Sequence, residues 1–143
     1  MTAEEAIKNL ILDIAAVSTL ISTRVYPEGA VPQGPTKPFA THTVVDRKQD
    51  GDMGGDSDIC REVVTLTFFS DTRKEAKALA DLCSQKAPNG ISNYQGTVTS
   101  GGDTLDVMGI FLEKSKGEFI NLDDGSNNQL FSESTDYEVV YER

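Results

Sequence analysis

One histidine, two cysteines and a run of closely spaced aspartates are the residues from which this chain would have to build chemistry. Asp50, Asp52, Asp56 and Asp58 crowd together with Gly51, Gly54 and Gly55. Hard cations take carboxylate oxygens at regular spacing, so a calcium loop is the first chemistry to test. An EF-hand loop needs oxygen ligands at positions 1, 3 and 5, glycine at 6 and a bidentate glutamate at 12. Counted from Asp50, position 5 is Gly54 and position 12 is Arg61, so the pattern fails. Three readings stay open for this stretch. The simplest is a solvated hairpin loop. The others are a loop that orders on a partner surface and a looser cation site made by the four aspartates. A second acidic stretch, Asp123-Asp124-Gly125-Ser126-Asn127-Asn128, is accounted for by turn chemistry alone.

His42 is the sole histidine, so Ser-His-Asp or Cys-His catalysis would have to run through it. It sits between Thr41 and Thr43 in a stretch that reads as a strand, and a structural or surface role is expected. Neither Cys60 nor Cys83 has the local signature of a nucleophile. Zinc needs three or four ligands, and one His with two distant Cys does not supply them. No Walker A motif occurs. The glycines at 51, 54 and 55 do not lead from a strand into a helix, which a dinucleotide fingerprint requires. Gly101-Gly102-Asp103 reads as a hairpin turn. No catalytic residue, cofactor or metal is therefore assigned, and the chain is not expected to be an enzyme. The two cysteines are expected to be buried free thiols, although spacing alone leaves a disulfide between them open.

The length, 143 residues, fits one domain. The formal net charge of −10 argues against a general nucleic-acid surface, which would be basic. It argues equally against docking on an anionic membrane. Arg24, Lys37, Arg47, Lys48, Arg61, Lys114 and Lys116 are too scattered to predict a basic patch. No stretch approaches 18 apolar residues, and Met1 to Glu5 lacks a basic leader, so the protein is expected to be made and folded in a cytoplasm.

The elements that must position these residues follow from periodicity. Thr2 with Glu5 forms a capping box. Ile7, Leu10, Ile11, Ile14 and Val17 then repeat at helical spacing, which predicts one helix over residues 3–20. Residues 21–37 form a linker with three prolines and a short extended piece at Val25-Tyr26. A strand is expected over 39–47, followed by a mobile acidic loop at 49–58 and a second strand over 59–70. On that second strand Val64, Leu66 and Phe68 point one way and Val63, Thr65, Thr67 and Phe69 the other. A second capping box, Thr72 with Glu75, opens a helix whose apolar face carries Ala76, Leu79, Ala80, Cys83 and Ala87. Strands follow at 96–99, 105–113 and 136–142. The order is α-β-β-α-β-β-β: an α+β fold with two helices packed on one face of a largely antiparallel sheet.

Four segments in this order carry a resemblance: E-E-A-I-K-N-L-I-L-D with T-R-V-Y-P at 4–13 and 23–27, the strand opening at Pro38-Phe39, T-R-K-E-A-K-A-L-A-D at 72–81, and Q-L-F-S-E-S-T-D-Y-E-V-V-Y at 129–141. Together they resemble the small tail completion proteins of long-tailed bacteriophages, also called tail terminators or tail-to-head joining proteins. The resemblance implies a single tail-terminator-like domain over 1–143 and a ring, usually hexameric, on the end of the finished tail tube. The ring would stop tube polymerisation and provide the joint to the head. Its partners would be further copies of itself, the tail tube protein, and a head connector or head-completion protein. DNA would only pass through the lumen, with no sequence-specific binding, and no membrane is involved. The expected location is the virion, at the head–tail interface, after assembly in the bacterial host cytoplasm. The contact candidates are Asp50, Asp52, Asp56 and Asp58 in the acidic loop, and Val63, Thr65, Thr67 and Phe69 on the strand. The competing readings are another phage morphogenesis protein (neck, head-closure or tail tube subunit) and a stand-alone cytoplasmic binding domain with a defined pocket.

Overall fold

The computed structural model describes residues 1–52, 55–121 and 129–142, with backbone only for residues 49–52, 55–58, 119–121 and 129. The elements run α1 (Ala3–Leu12), α2 (Ala15–Ile21), β1 (Val25–Pro27), β2 (Phe39–Asp52), β3 (Gly55–Ser70), α3 (Arg73–Ser84), β4 (Gly96–Ser100), β5 (Asp103–Asn121) and β6 (Gln129–Glu142). The class is α+β, but with three helices and six strands among the described residues, in the order α-α-β-β-β-α-β-β-β.

The capping box at Thr2 forms in full. The Thr2 hydroxyl accepts from the Glu5 N–H at 3.2 Å and the Glu5 carboxylate accepts from the Thr2 N–H at 2.9 Å. The single helix expected over 3–20 is broken instead at Asp13 and Ile14, where Ile14 turns extended at ψ 108°. The apolar spacing that suggested one helix serves two, because Val17 and Ile21 make their own buried stripe in α2. The extended piece at Val25-Tyr26 is strand β1, paired in parallel with β2 through Val25 and Ala40. At α3 the expected reciprocal box is one-sided. Thr72 accepts from the Glu75 N–H at 3.3 Å, but the Glu75 carboxylate accepts from the Ser70 hydroxyl at 2.7 Å.

The sheet order is β1-β2-β3-β6-β5-β4, antiparallel throughout except for β1 with β2. Most of the stretch expected as a loop at 49–58 is strand: β2 and β3 continue outward as a hairpin, pairing Gly51 with Asp56 and Asp52 with Gly55. The apex of that expected loop, residues 53–54, lies outside the described residues. Ladder hydrogen bonds need no apolar side chain, so an acidic, glycine-rich composition does not forbid pairing. The same reason lengthens β5 and β6 beyond 105–113 and 136–142: Lys114 to Glu118 show no alternation because both their faces are exposed. The acidic stretch at 123–128 lies outside the described residues.

All three helices lie on one face of the sheet. Along β3, Cys60, Glu62, Val64, Leu66, Phe68 and Ser70 are buried, while the residues between them stay half-buried. Ile7, Ile11, Val17 and Ile21 from α1 and α2 meet Leu79 and Cys83 of α3 over Val64, Leu66, Ile110 and Val139. Tyr137 joins this core fully buried and keeps its hydroxyl satisfied by Ser84 at 2.9 Å. Among the described residues no helix is long and apolar enough to cross a membrane.

Candidate functional site: the uncovered face of the sheet

Among the described residues no helix lies over the other face of the sheet, although Phe39, Thr41 and Ser132 on it are buried beside the linker. Strand register places its side chains in rows, because residues directly opposite one another share a face. Phe39, Phe69, Ser132 and Glu118 make one row; Thr41, Thr67, Ser134 and Lys116 the next; Thr43, Thr65, Asp136 and Lys114 a third. The curl of the sheet turns these rows into a groove of about 480 Å3, with Glu28 and Val31 of the linker at its rim.

Of the sequence-derived contact candidates, Thr65, Thr67 and Phe69 line this groove together. Val63 shares their face but pairs with Asp46 further up the strand and does not line it. Asp50, Asp52, Asp56 and Asp58 sit on the outward β2–β3 hairpin, away from the groove, and their side chains lie outside the described residues. Three of the groove hydroxyls already have partners. Thr65 donates to Asp136 at 2.6 Å, and Thr67 and Ser134 share a hydrogen bond at 2.9 Å. Phe39 and Phe69 stack with ring centroids 4.9 Å apart and planes 16° apart, with Phe39 buried and Phe69 half-buried.

Three of the cations that look scattered in the sequence, Arg61, Lys114 and Lys116, share this face. Arg61 pairs with Glu138 at 3.0 Å, Lys114 with Asp136 at 3.8 Å and Lys116 with Glu118 at 2.8 Å. Each faces an acid, so the result is a mixed polar surface and not a basic patch. Such exposed pairs contribute roughly 0–1 kcal/mol each, which makes them specifiers of register and contact more than of stability. The two-residue spacing of Lys114 and Lys116 was a readable signal. The arrival of Arg61 beside them depends on β3–β6 register, which no local pattern reports.

His42 points to the opposite, helix-covered face. It is 5% exposed, and its Nδ1 lies 2.7 Å from the Glu4 carboxylate, tying α1 to β2. Burial pushes the Cys83 thiol up to about 12, so it stays protonated at neutral pH and is no nucleophile. Burial likewise raises the Tyr137 phenol well above its ordinary value. Cys60 is buried in β3, and both cysteines are free. The arrangement offers hydroxyls, stacked rings and paired charges on a broad surface, which is equipment for binding.

The family model described as "Tail completion protein gp17" matches residues 5–86, more than half of the chain. A chain in the solved structure described as "Virion of native gene transfer agent (GTA) particle" has a similar fold, with a TM-score of 0.72 at 17% identity over 99% of this chain and 95% of that one. No curated protein matches the chain. The family match ends just beyond α3, whereas the fold likeness runs through β4, β5 and β6 as well.

Proposed function

This chain belongs to the tail completion protein gp17 family, and we propose that it acts as a ring that caps the end of a phage tail tube. Membership makes it a structural protein of a phage tail and a component of the virion. In the proposed role the ring stops further polymerisation of the tube and provides the joint to a head connector or head-completion protein. Its partners are further copies of itself, six in the usual arrangement, and the tail tube protein; DNA only passes through. The observation that carries the reading is a broad sheet that, among the described residues, bears helices on one face alone, with Thr65, Thr67 and Phe69 half-buried along a groove on the other. Val63 and the hairpin aspartates Asp50, Asp52, Asp56 and Asp58 extend the proposed contact set toward the β2–β3 tip.

Contacts that repeat head to tail and close on themselves give a ring; contacts that do not close give a filament. Absolute mass by light scattering across protein concentration, with negative-stain images of the same samples, separates these cases. Rings of fixed size are expected, either alone or on added tail tubes. Long tubes built from this chain alone would make it a tube subunit. A monomer at every concentration that ignores tail tubes would end the assembly reading.

A further inference from the structure

We propose that copies of this chain join edge to edge, with the open edge of β5 in one copy against the open edge of β2 in the next, so that the sheet runs on from subunit to subunit. The proposal rests on the reading that the chain assembles with copies of itself, and it names the surfaces that do so.

Both edges of the sheet are only partly covered among the described residues. β1 pairs with β2 at Ala40, Thr41 and His42 alone, so β2 from Thr43 onward is paired on its β3 side only. β4 pairs with β5 over residues 103–107 and the Asn93 N–H donates to the Ile110 carbonyl at 2.7 Å, so β5 from Phe111 onward is paired on its β6 side only. Open edges present unpaired N–H and C=O groups and are templates for another strand.

The exposed apolar side chains gather at these edges. Among the described residues the large ones are Leu20, Val45, Met108, Phe111 and Leu112. Val45 lies on β2 and is 57% exposed; Met108, Phe111 and Leu112 lie on β5 and are 46%, 45% and 46% exposed. Only Leu20 lies elsewhere, in α2. A fold that buries Leu66, Ile110 and Tyr137 completely has no internal reason to leave its remaining large apolar groups on its two rims.

Direction and height agree as well. β2, β3, β6 and β5 are successive antiparallel neighbours, so β2 and β5 run in opposite senses and a β5–β2 joint is antiparallel. Val44, Val64, Tyr137 and Leu112 form one row across the sheet. That row lies on the helix-covered face, whereas Val45 bulges beside Asp46 on the other face, in the row of Val63, Glu138 and Phe111, so two copies set side by side at equal height bring Val45 to Phe111. The steps in the two edges are complementary. β1 protrudes at the height of Ser115 to Gly117, where β5 is open, and β4 protrudes at the height of Gln49, where β2 is open. A ledge on each edge thus meets a recess on the other.

The edges are also guarded. Register slips by one residue at Val45 in β2 and at Met108 and Glu113 in β5, and Lys48, Lys114 and Lys116 stand along the rims. Bulges and lysines are devices against indiscriminate pairing. They leave a joint that forms only where bulge and apolar group meet their counterparts, and a heterologous joint of this kind can close into a ring.

Copies carrying Val45→Cys and copies carrying Phe111→Cys, both at exposed positions, are mixed under mild oxidation with and without tail tubes. A covalent dimer is expected from the mixture and not from either variant alone, and the doubly substituted chain is expected to give a ladder that ends at one closed species. A dimer from one variant alone would replace the joint by a self-complementary contact. A closed oligomer seen by light scattering without any cross-link would overturn the edge joint and leave the ring reading standing. Absence of any oligomer in all conditions would overturn both.

Discussion

β3 presents two faces that meet opposite surroundings. Val64, Leu66 and Phe68 point into a closed layer of helices and are at most 1% exposed. Thr65, Thr67 and Phe69, one residue away in each case, point into an open groove and pair with Asp136, Ser134 and Phe39. The backbone treats both sets alike. The closed face is held by removal of apolar surface from water, worth about 25 cal/mol per Å2. The open face holds polar and aromatic groups whose hydrogen bonds are about as good with water as with each other. Stability therefore resides on one side of this sheet, and the other side is free to be shaped by partners.

The strongest way to break that division is at its centre. Leu66→Ala should destabilise the chain by about 2–5 kcal/mol in urea unfolding, because the site is fully enclosed and cannot collapse without moving helices. A cost no larger than that of an outward change would refute the division. A second probe is alkali. Cys83 and Tyr137 have pKa values raised by burial on the closed side. In the unfolded chain Cys83 loses its proton near its ordinary value of 9.0, whereas burial in the folded chain holds it to about 12. Its stabilising contribution is thus whole below pH 9 and is lost as pH rises through that window, on the order of 2 kcal/mol by pH 10.5. Urea unfolding at pH 7.5 and 10.5 should show the loss, and Cys83→Ala should flatten it. The smallest effect sharpens the other side. Thr67→Ala removes the hydrogen bond to Ser134 and should cost under about 1 kcal/mol in the isolated chain, while lowering the yield of assembled rings. A large loss of stability with assembly unchanged would reverse the roles assigned to the two faces.

Much of this was legible in the residues. The Thr2 cap, the alternation along β3 and the face of Ala76, Leu79, Ala80 and Cys83 on α3 are local patterns that survive folding, although Ala87, expected on that face, falls beyond the helix end at Ser84. So did the shared face of Val63, Thr65, Thr67 and Phe69, since strand period alone decides it. The break at Asp13 and Ile14 was hidden because two short helices and one long one bury the same spacing. The outer parts of β2, β3, β5 and β6 were hidden because pairing there is backbone pairing, with no apolar signal on either side. The edge residues were hidden as well. The strand expected over 105–113 carried no sign of which residues would be exposed: Met108, Phe111 and Leu112 are, since Met108 is displaced by a bulge and β5 is open along part of one side. Even the glycine there serves the rim: a side chain at Gly109 would meet the Phe111 ring at 2.6 Å, so the ring rests on the glycine backbone.

The sheet is also two hairpins, β2–β3 and β5–β6, stitched by the single β3–β6 seam between Ile59 to Ser70 and Phe131 to Glu142. The family signature ends at residue 86, ahead of the second hairpin, yet Val64 and Leu66 from the first share one core with Ile110, Tyr137 and Val139 from the second. Heredity is constrained accordingly. An exchange of gene segments with its breakpoint near residue 86 would deliver two half-cores cut for other partners, so the two halves are expected to pack well only when both come from one chain.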